Sequence, residues 1–278
     1  MFVTPREREA FKESGFLIVD PDLPHAVLDG VISDLSGTYS GSEPIDVPYH
    51  DPRRVQDAWR ISQNVKTLAV APKILGILKE LYGRKPQAFQ TLNFPVGTEQ
   101  LVHSDTVHFN SMPSGYMCGV WVALEDIDME NGPLVYYPGS HKFAEITVEH
   151  LAKRILSEQG VLSRFLVSVL PNAPVFYRFG FWSRHLRSKK TEEIYAYYER
   201  FIAEAIQRDS LKPSYGILKK GQALIWSSNL LHGGAPQKDK RRSRHSQVTH
   251  YFFEGCRYYT PVLSFGKSIH WRNPDWIG

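Results

Sequence analysis

Two spacings of apolar residues divide this chain. At its start the spacing is helical: Thr4 can cap a helix, Pro5 suits the first helical position, and Glu7 falls where a capping box places a carboxylate. "GFLIVD" (15–20) then predicts a short buried strand. Ile74, Leu75, Leu78 and Leu81 share one face of a helix from about Pro72 to Tyr82, with Gly83 as its stop. From residue 87 to 139 the period shortens to that of strands. "AFQTLNF", "QLVHSD", "YMCGVWVAL" and "PLVYYPG" are separated by "PVGTE", "NSMPSG" and "EDIDMENG", all rich in turn formers. After "PGSHK" (138–142) the pattern turns helical or irregular until about residue 212. Within it, Ile194, Tyr198, Phe201, Ile202 and Ala205 recur at helical spacing over 191–209. Strands return at "SYGILKK" (214–220), "QALIWSSNLLHG" (222–233) and "RHSQVTHYFF" (244–253). The pattern predicts a mainly β chain: one antiparallel core, flanking helices at its front, and a helical insert of roughly residues 143–212. An irregular excursion of that length in a compact domain suggests a lid or a substrate region.

Composition narrows the function classes. At 278 residues the chain matches the size at which one hydrophobic core stops growing, so a single domain over 1–278 is expected. A net charge of +4 is too mild to imply a nucleic-acid partner, and the basic runs Lys189–Lys190 and "KDKRRSR" (238–244) are short. Cys118 and Cys256 alone cannot build a disulfide framework or a cysteine-rich zinc site. The first fifteen residues lack the apolar region of a signal peptide, no apolar run is long enough to span a bilayer, and "PDWIG" carries no peroxisomal tripeptide. The expectation is a soluble, cytoplasmic protein with no membrane partner.

The candidate chemistry begins at "LVHSDTVHF" (101–109). On a strand, residues i and i+2 share a face, so His103 and Asp105 would project together toward one divalent cation. A second histidine, distant in sequence, would complete a 2-His-1-carboxylate face with open positions, the arrangement of non-haem Fe(II) oxygenases. Among 11 histidines, His108 lies past the expected strand end, His141 sits in a turn, and His245 and His250 face opposite ways. His232 ends an apolar run and precedes Gly233–Gly234, which would let a backbone or ligand approach closely. Arg244 and Ser246 would share a face of the last strand, and an arginine in the same cavity suits a dicarboxylate, which its fork binds bidentately.

These residues carry a resemblance. "FKESGFLIVD", "HSD", "WVALEDIDMENGPLVYYPGSHK" and "LLHGGAPQKDKRRSRHSQVTHYF" resemble the phytanoyl-CoA dioxygenase family of Fe(II)/2-oxoglutarate-dependent oxygenases. The resemblance implies a double-stranded β-helix, a cupin-like jelly roll, with His103, Asp105 and His232 as catalytic iron ligands. It implies Fe(II), 2-oxoglutarate and O2 as cofactor and co-substrates, and Arg244 as the partner of the distal carboxylate of 2-oxoglutarate. Family spacing would place that arginine at Ser243, so Arg244 requires one extra loop residue, with Arg242 the fallback. Gln90 and Trp121 match positions that contact the co-substrate. Gly234 stands where the family often has a hydroxyl for the same purpose. The implied reaction is hydroxylation of a small molecule with release of succinate and CO2, and retention of Asp105 favours hydroxylation or desaturation over halogenation. In the insert, "VFYRFGFWSRHLRSKK" (175–190) would suit an anionic or aromatic substrate. Two other classes use the same site: a non-redox jelly-roll metal binder, and a metal-dependent hydrolase with His108 or Glu99 as its base.

Overall fold

A computed structural model describes residues 1–38, 54–143, 196–264 and 269–278. The first helix, α1 (Pro5–Ser14), is closed as its sequence predicts. The Thr4 side chain accepts from the Glu7 amide, the Glu7 carboxylate accepts from the Thr4 amide, and Gly15 ends the helix at φ 79°, where a Cβ would be strained. Strand β1 (Phe16–Val19) follows, then α2 (His25–Leu35), β2 (Val55–Gln56), α3 (Gln63–Ala69) and α4 (Pro72–Tyr82).

The β framework comprises β3 (Pro86–Phe94), β4 (Asn110–Met112), β5 (Met117–Ala123), β6 (Leu134–Tyr136), β7 (Ser214–Tyr215), β8 (Ala223–Ser227), β9 (His232–Gly234), β10 (Ser246–Phe253) and β11 (Arg257–Tyr259). Residues 196–208, between β6 and β7, form helix α5. A large sheet runs in the order β1-β8-β5-β10-β3-β2, a smaller one in the order β7-β6-β9, and β11 pairs with β4. Every pairing is antiparallel. One face of the large sheet, including Val120, Val122, Ile225, Tyr251 and Phe253, packs under α2–α4, which contribute Leu28, Val31, Leu35, Leu68, Ile74 and Leu78. The other face, with Phe94, Trp121, Trp226 and Val248, packs on Tyr136 and Leu134 of the small sheet and on Leu218. Because β5 and β10 are covered on both faces, all their residues are buried; β5 reads as a continuous apolar run, whereas β10 also buries the polar Ser246, Gln247, Thr249 and His250. This is the facing-sheet, mainly antiparallel architecture expected of a jelly roll.

The differences from the sequence reading are local. "QLVHSD" is not a strand: His103 makes one isolated bridge, and Asp105 opens a 3-10 turn over Asp105–Val107. "QALIWSSNLLHG" is two strands, β8 in the large sheet and β9 in the small one, joined by a turn. Helices α2 and α3 were not expected. The helical periodicity of 191–209 is realised in α5, whereas residues 144–195, including the stretch 175–190, lie outside the described residues. Among the described residues, no helix is long and apolar enough to cross a membrane.

Candidate metal centre

His103 and His232 are joined through their main chains. The His103 amide donates to the His232 carbonyl at 2.8 Å and the His232 amide to the His103 carbonyl at 2.9 Å. This pairing depends on the glycines that follow His232. A Cβ on Gly233 would lie 2.7 Å from the Gln100 carbonyl oxygen, and one on Gly234 2.8 Å from the Glu99 nitrogen. Only glycine therefore lets the loop 98–102 lie across β9. The same contact explains why Gly234 carries no hydroxyl: a side chain has no room there.

Both imidazoles are oriented from behind. Nδ1 of His103 lies 2.9 Å from the Leu101 carbonyl and Nδ1 of His232 lies 3.0 Å from the Leu230 carbonyl. A carbonyl can only accept, so each Nδ1 carries the proton and each Nε2 presents its lone pair. Ser104 caps the 3-10 turn, accepting from the Thr106 amide, and Asp105 turns inward. Its Oδ1 lies 3.8 Å from Nε2 of each of the two histidines. Its Oδ2 accepts from the Trp226 indole at 2.8 Å and lies 3.6 Å from Nε2 of His250. Trp226 reaches that oxygen because Gly119 leaves space, where a Cβ would meet the indole at 2.2 Å.

The electrostatics favour a deprotonated donor set. Burial opposes ionisation of Asp105, but the surrounding His232, His250 and His103 hold its carboxyl well below the ordinary carboxylate range. Burial, aided by His232 and opposed by Asp105, pushes the His103 imidazole down to about 3. All three side chains are buried, and one ligand atom from each lies within 4.8 Å of the others, a spacing that one divalent ion can bridge. The donors, two imidazole nitrogens and a carboxylate, fit Fe(II).

The three residues line a cavity of about 320 Å³, and so do Arg244, Trp121 and Gln90. The Arg244 guanidinium is buried between two rings, 5.5 Å from the centroid of Trp121 and 5.6 Å from that of Phe94, and Nη1 donates to Ser246 Oγ at 2.5 Å. Its neighbours fix its approach. The Gln237 amide holds the carbonyl of residue 242, and Asn131 of the "EDIDMENG" turn holds the carbonyl of residue 243. Glu125 accepts from the Ser243 hydroxyl and the His245 amide. Arg242 points away and pairs with Asp128 at 2.9 Å. Gln90 Oε1 lies 2.9 Å from Nδ1 of His250. His141 is outside the cavity, its ring against the Lys12 carbonyl.

His250 is the residue that the sequence reading set aside. It shares parity with Arg244, Ser246 and Val248 along β10, and strand alternation alone places it on the cavity face. His108 also lines the cavity, its imidazole pushed down to about 4 by burial and by Arg54 and Arg272, against the pull of Asp105. Behind the motif, the buried Tyr198 of α5 brackets Ser104. Its hydroxyl accepts from the Ser104 amide at 2.7 Å and donates to the Ser104 carbonyl at 3.2 Å, tying this helix to the segment between the two candidate ligands.

Comparison with known proteins points the same way. The profile of the phytanoyl-CoA dioxygenase (PhyH) family matches residues 11–246. Phytanoyl-CoA dioxygenase domain-containing protein 1 of Danio rerio is 38% identical over 80 residues, covering 27% of this chain. Its counterpart in Mus musculus is 30% identical over 80 residues, also 27% of this chain. Each alignment spans only 28% of the relative's own length. Among solved structures, the non-heme alpha-ketoglutarate-dependent carbocyclase SnoK superposes with a TM-score of 0.62 at 14% identity, over 92% of this chain and 86% of its own. EctD from S. alaskensis, with 2-oxoglutarate and 5-hydroxyectoine, gives 0.62 at 16% identity, over 94% of this chain and 80% of its own. At those identities the superpositions speak for the fold.

Proposed function

The chain belongs to the phytanoyl-CoA dioxygenase family of Fe(II)- and 2-oxoglutarate-dependent oxygenases, and from that membership we propose that it hydroxylates a small organic substrate with release of succinate and carbon dioxide. The observation that carries this reading is the convergence of His103, Asp105 and His232 on one point of a cavity that also holds the Arg244 guanidinium. His103, Asp105 and His232 would hold Fe(II), leaving coordination positions open. When bound, iron and 2-oxoglutarate together supply the oxidising power that dioxygen alone delivers too slowly.

The protein's own part is orientation and exclusion of water. Arg244, preset by its neighbours, would pair with the distal carboxylate of 2-oxoglutarate, and the flanking Phe94 and Trp121 rings keep that pair dry. Gln90, which faces His250, is placed to fix the orientation of that imidazole on the cavity wall. Trp226 holds Oδ2 of Asp105, so Oδ1 is the oxygen left facing the histidines.

The hydrolytic alternative needs a general base at this site, and both candidates are poor. Glu99 does not line the cavity and is engaged by Lys240 and the Gln237 amide. His108, its imidazole pushed down to about 4 by burial, is a weak base.

Anaerobic addition of Fe(II) and 2-oxoglutarate should produce a visible metal-to-ligand charge-transfer band. His103→Ala should abolish it, and Arg244→Met should raise the 2-oxoglutarate concentration required while leaving iron affinity nearly unchanged. A folded wild-type protein that shows no band would overturn the reading.

A further inference from the structure

Arg244 is not the only guanidinium on the cavity. Residues 269–278 run back along its wall: the Arg272 amide donates to the Tyr258 carbonyl at 2.9 Å, and the Thr260 amide to the His270 carbonyl at 2.9 Å. Further along, the Ile277 amide donates to the Ala88 carbonyl at 2.9 Å. This path delivers Arg272 and Thr260 to the cavity lining. The Arg272 guanidinium sits over two rings, 4.8 Å from the centroid of Phe109 and 5.9 Å from that of Phe89, and Nη1 donates to Thr260 Oγ1 at 3.1 Å. Its Nε is buried without an acceptor, and among the described residues no carboxylate comes within ion-pair distance. Asp57 acts on it only through space. Arg272 as a whole is half-buried, and a partly desolvated cation without a counter-ion carries a cost that is recovered when a ligand brings the anion.

Its place in the cavity separates it from the co-substrate end. Arg244 lies at the level of Ser246 on β10, whereas Phe109, under Arg272, lies 5.2 Å from the His250 ring. Four residues of strand separate those levels, about 13 Å at the usual rise. Asp105 stands against the same His250 ring, its Oδ2 3.6 Å from Nε2, so the metal ligands adjoin the Arg272 end.

We propose that Arg272, assisted by the Thr260 hydroxyl, is the subsite for an anionic group on the substrate, a carboxylate or a phosphoryl group, at the end of the cavity away from Arg244. The proposal rests on the oxygenase reading for calling that ligand a substrate. A guanidinium flanked by rings favours an anion borne on an apolar or aromatic body, and an acid anchored there would lie beside the metal ligands without occupying the 2-oxoglutarate position.

The test is a titration rather than turnover. Phenylacetate, phenyl phosphate and the neutral phenylacetamide are added to the anaerobic Fe(II) protein saturated with 2-oxoglutarate, and to the metal-free protein, with binding read by calorimetry and by perturbation of the charge-transfer band. At least one anion should bind and the amide should not; the tighter anion identifies the group. Arg272→Met should weaken anion binding about tenfold or more, the scale of one charge-assisted contact, with 2-oxoglutarate affinity retained. Arg272→Lys should fall between, and Arg244→Met should show the reverse split. Equal anion binding by wild type and a folded Arg272→Met protein, equal binding of the amide, or no anion binding by wild type would each overturn the proposal. Anion binding that depends on Arg272 in a protein that never forms the band would sustain the subsite and sink the oxygenase reading.

Discussion

At the scale of single residues, the centre is made by burial working against charge. His103 and His108 are held neutral because the folded chain removes water from them, while an unfolded histidine titrates near its ordinary value of 6.5. On acidification the unfolded chain takes up protons first. The stability contributed by these neutral imidazoles is therefore complete above about pH 6.5 and declines as pH falls toward their folded values of about 3 and about 4. Each group can contribute up to about 1.4 kcal/mol per pH unit within that window. Asp105, whose carboxyl is depressed, adds stability that is complete above the ordinary carboxylate range and is lost only as pH falls below it. The urea midpoint of the metal-free protein should thus drop between pH 7 and pH 5, and His103→Gln or His108→Gln should flatten the drop. A midpoint unchanged over that interval would contradict the burial argument. The residue types of this centre were legible: an imidazole and a carboxylate two apart, a second imidazole before two glycines, and an arginine twelve residues on. His250 was legible from parity on its strand and was passed over. Arg272 was not, because it lies in an irregular segment with no motif, brought to the cavity by main-chain bonds of Arg272 to Tyr258, His270 to Thr260 and Ile277 to Ala88.

At the scale of elements, the reading succeeded where periodicity and punctuation agreed, as in α1 with its cap and closing glycine, and in β5 and β10. It failed at α2, although Leu28, Val31 and Leu35 are spaced as a helical face, because Pro24 offers no side-chain cap and Gly30 interrupts the run. His103 and Asp105 do lie together, but through a bridge and a 3-10 turn and not through the strand alternation expected of them. Tight turns of this kind depend on local capping by Ser104 and on contact with β9, which no periodicity encodes. The glycine pair makes this testable. Gly234→Ser restores the hydroxyl common in the family, yet its Cβ would press on the Glu99 and Gln100 nitrogens. The expected result is a loss of about 1–3 kcal/mol in stability, as for other overpacked sites, and no gain in 2-oxoglutarate affinity. Tighter co-substrate binding with stability intact would show that the loop yields.

At the scale of the molecule, the centre draws on both sheets. His232 belongs to the small sheet, Arg244 and His250 flank or sit on a central strand of the large one, and Asp105 is held by Trp226 of β8. The reciprocal amide bonds between residues 103 and 232 then acquire a consequence of their own. The separation of the two imidazoles is set by main chain, so uptake of an ion needs no rearrangement of the backbone that carries them. In deuterium exchange, the amides of 103 and 232 should be as slow after treatment with a chelator as before it, while the side-chain signals of the histidines shift. Rapid exchange at those two amides in the stripped protein would mean that the ion builds its own seat instead of finding one ready.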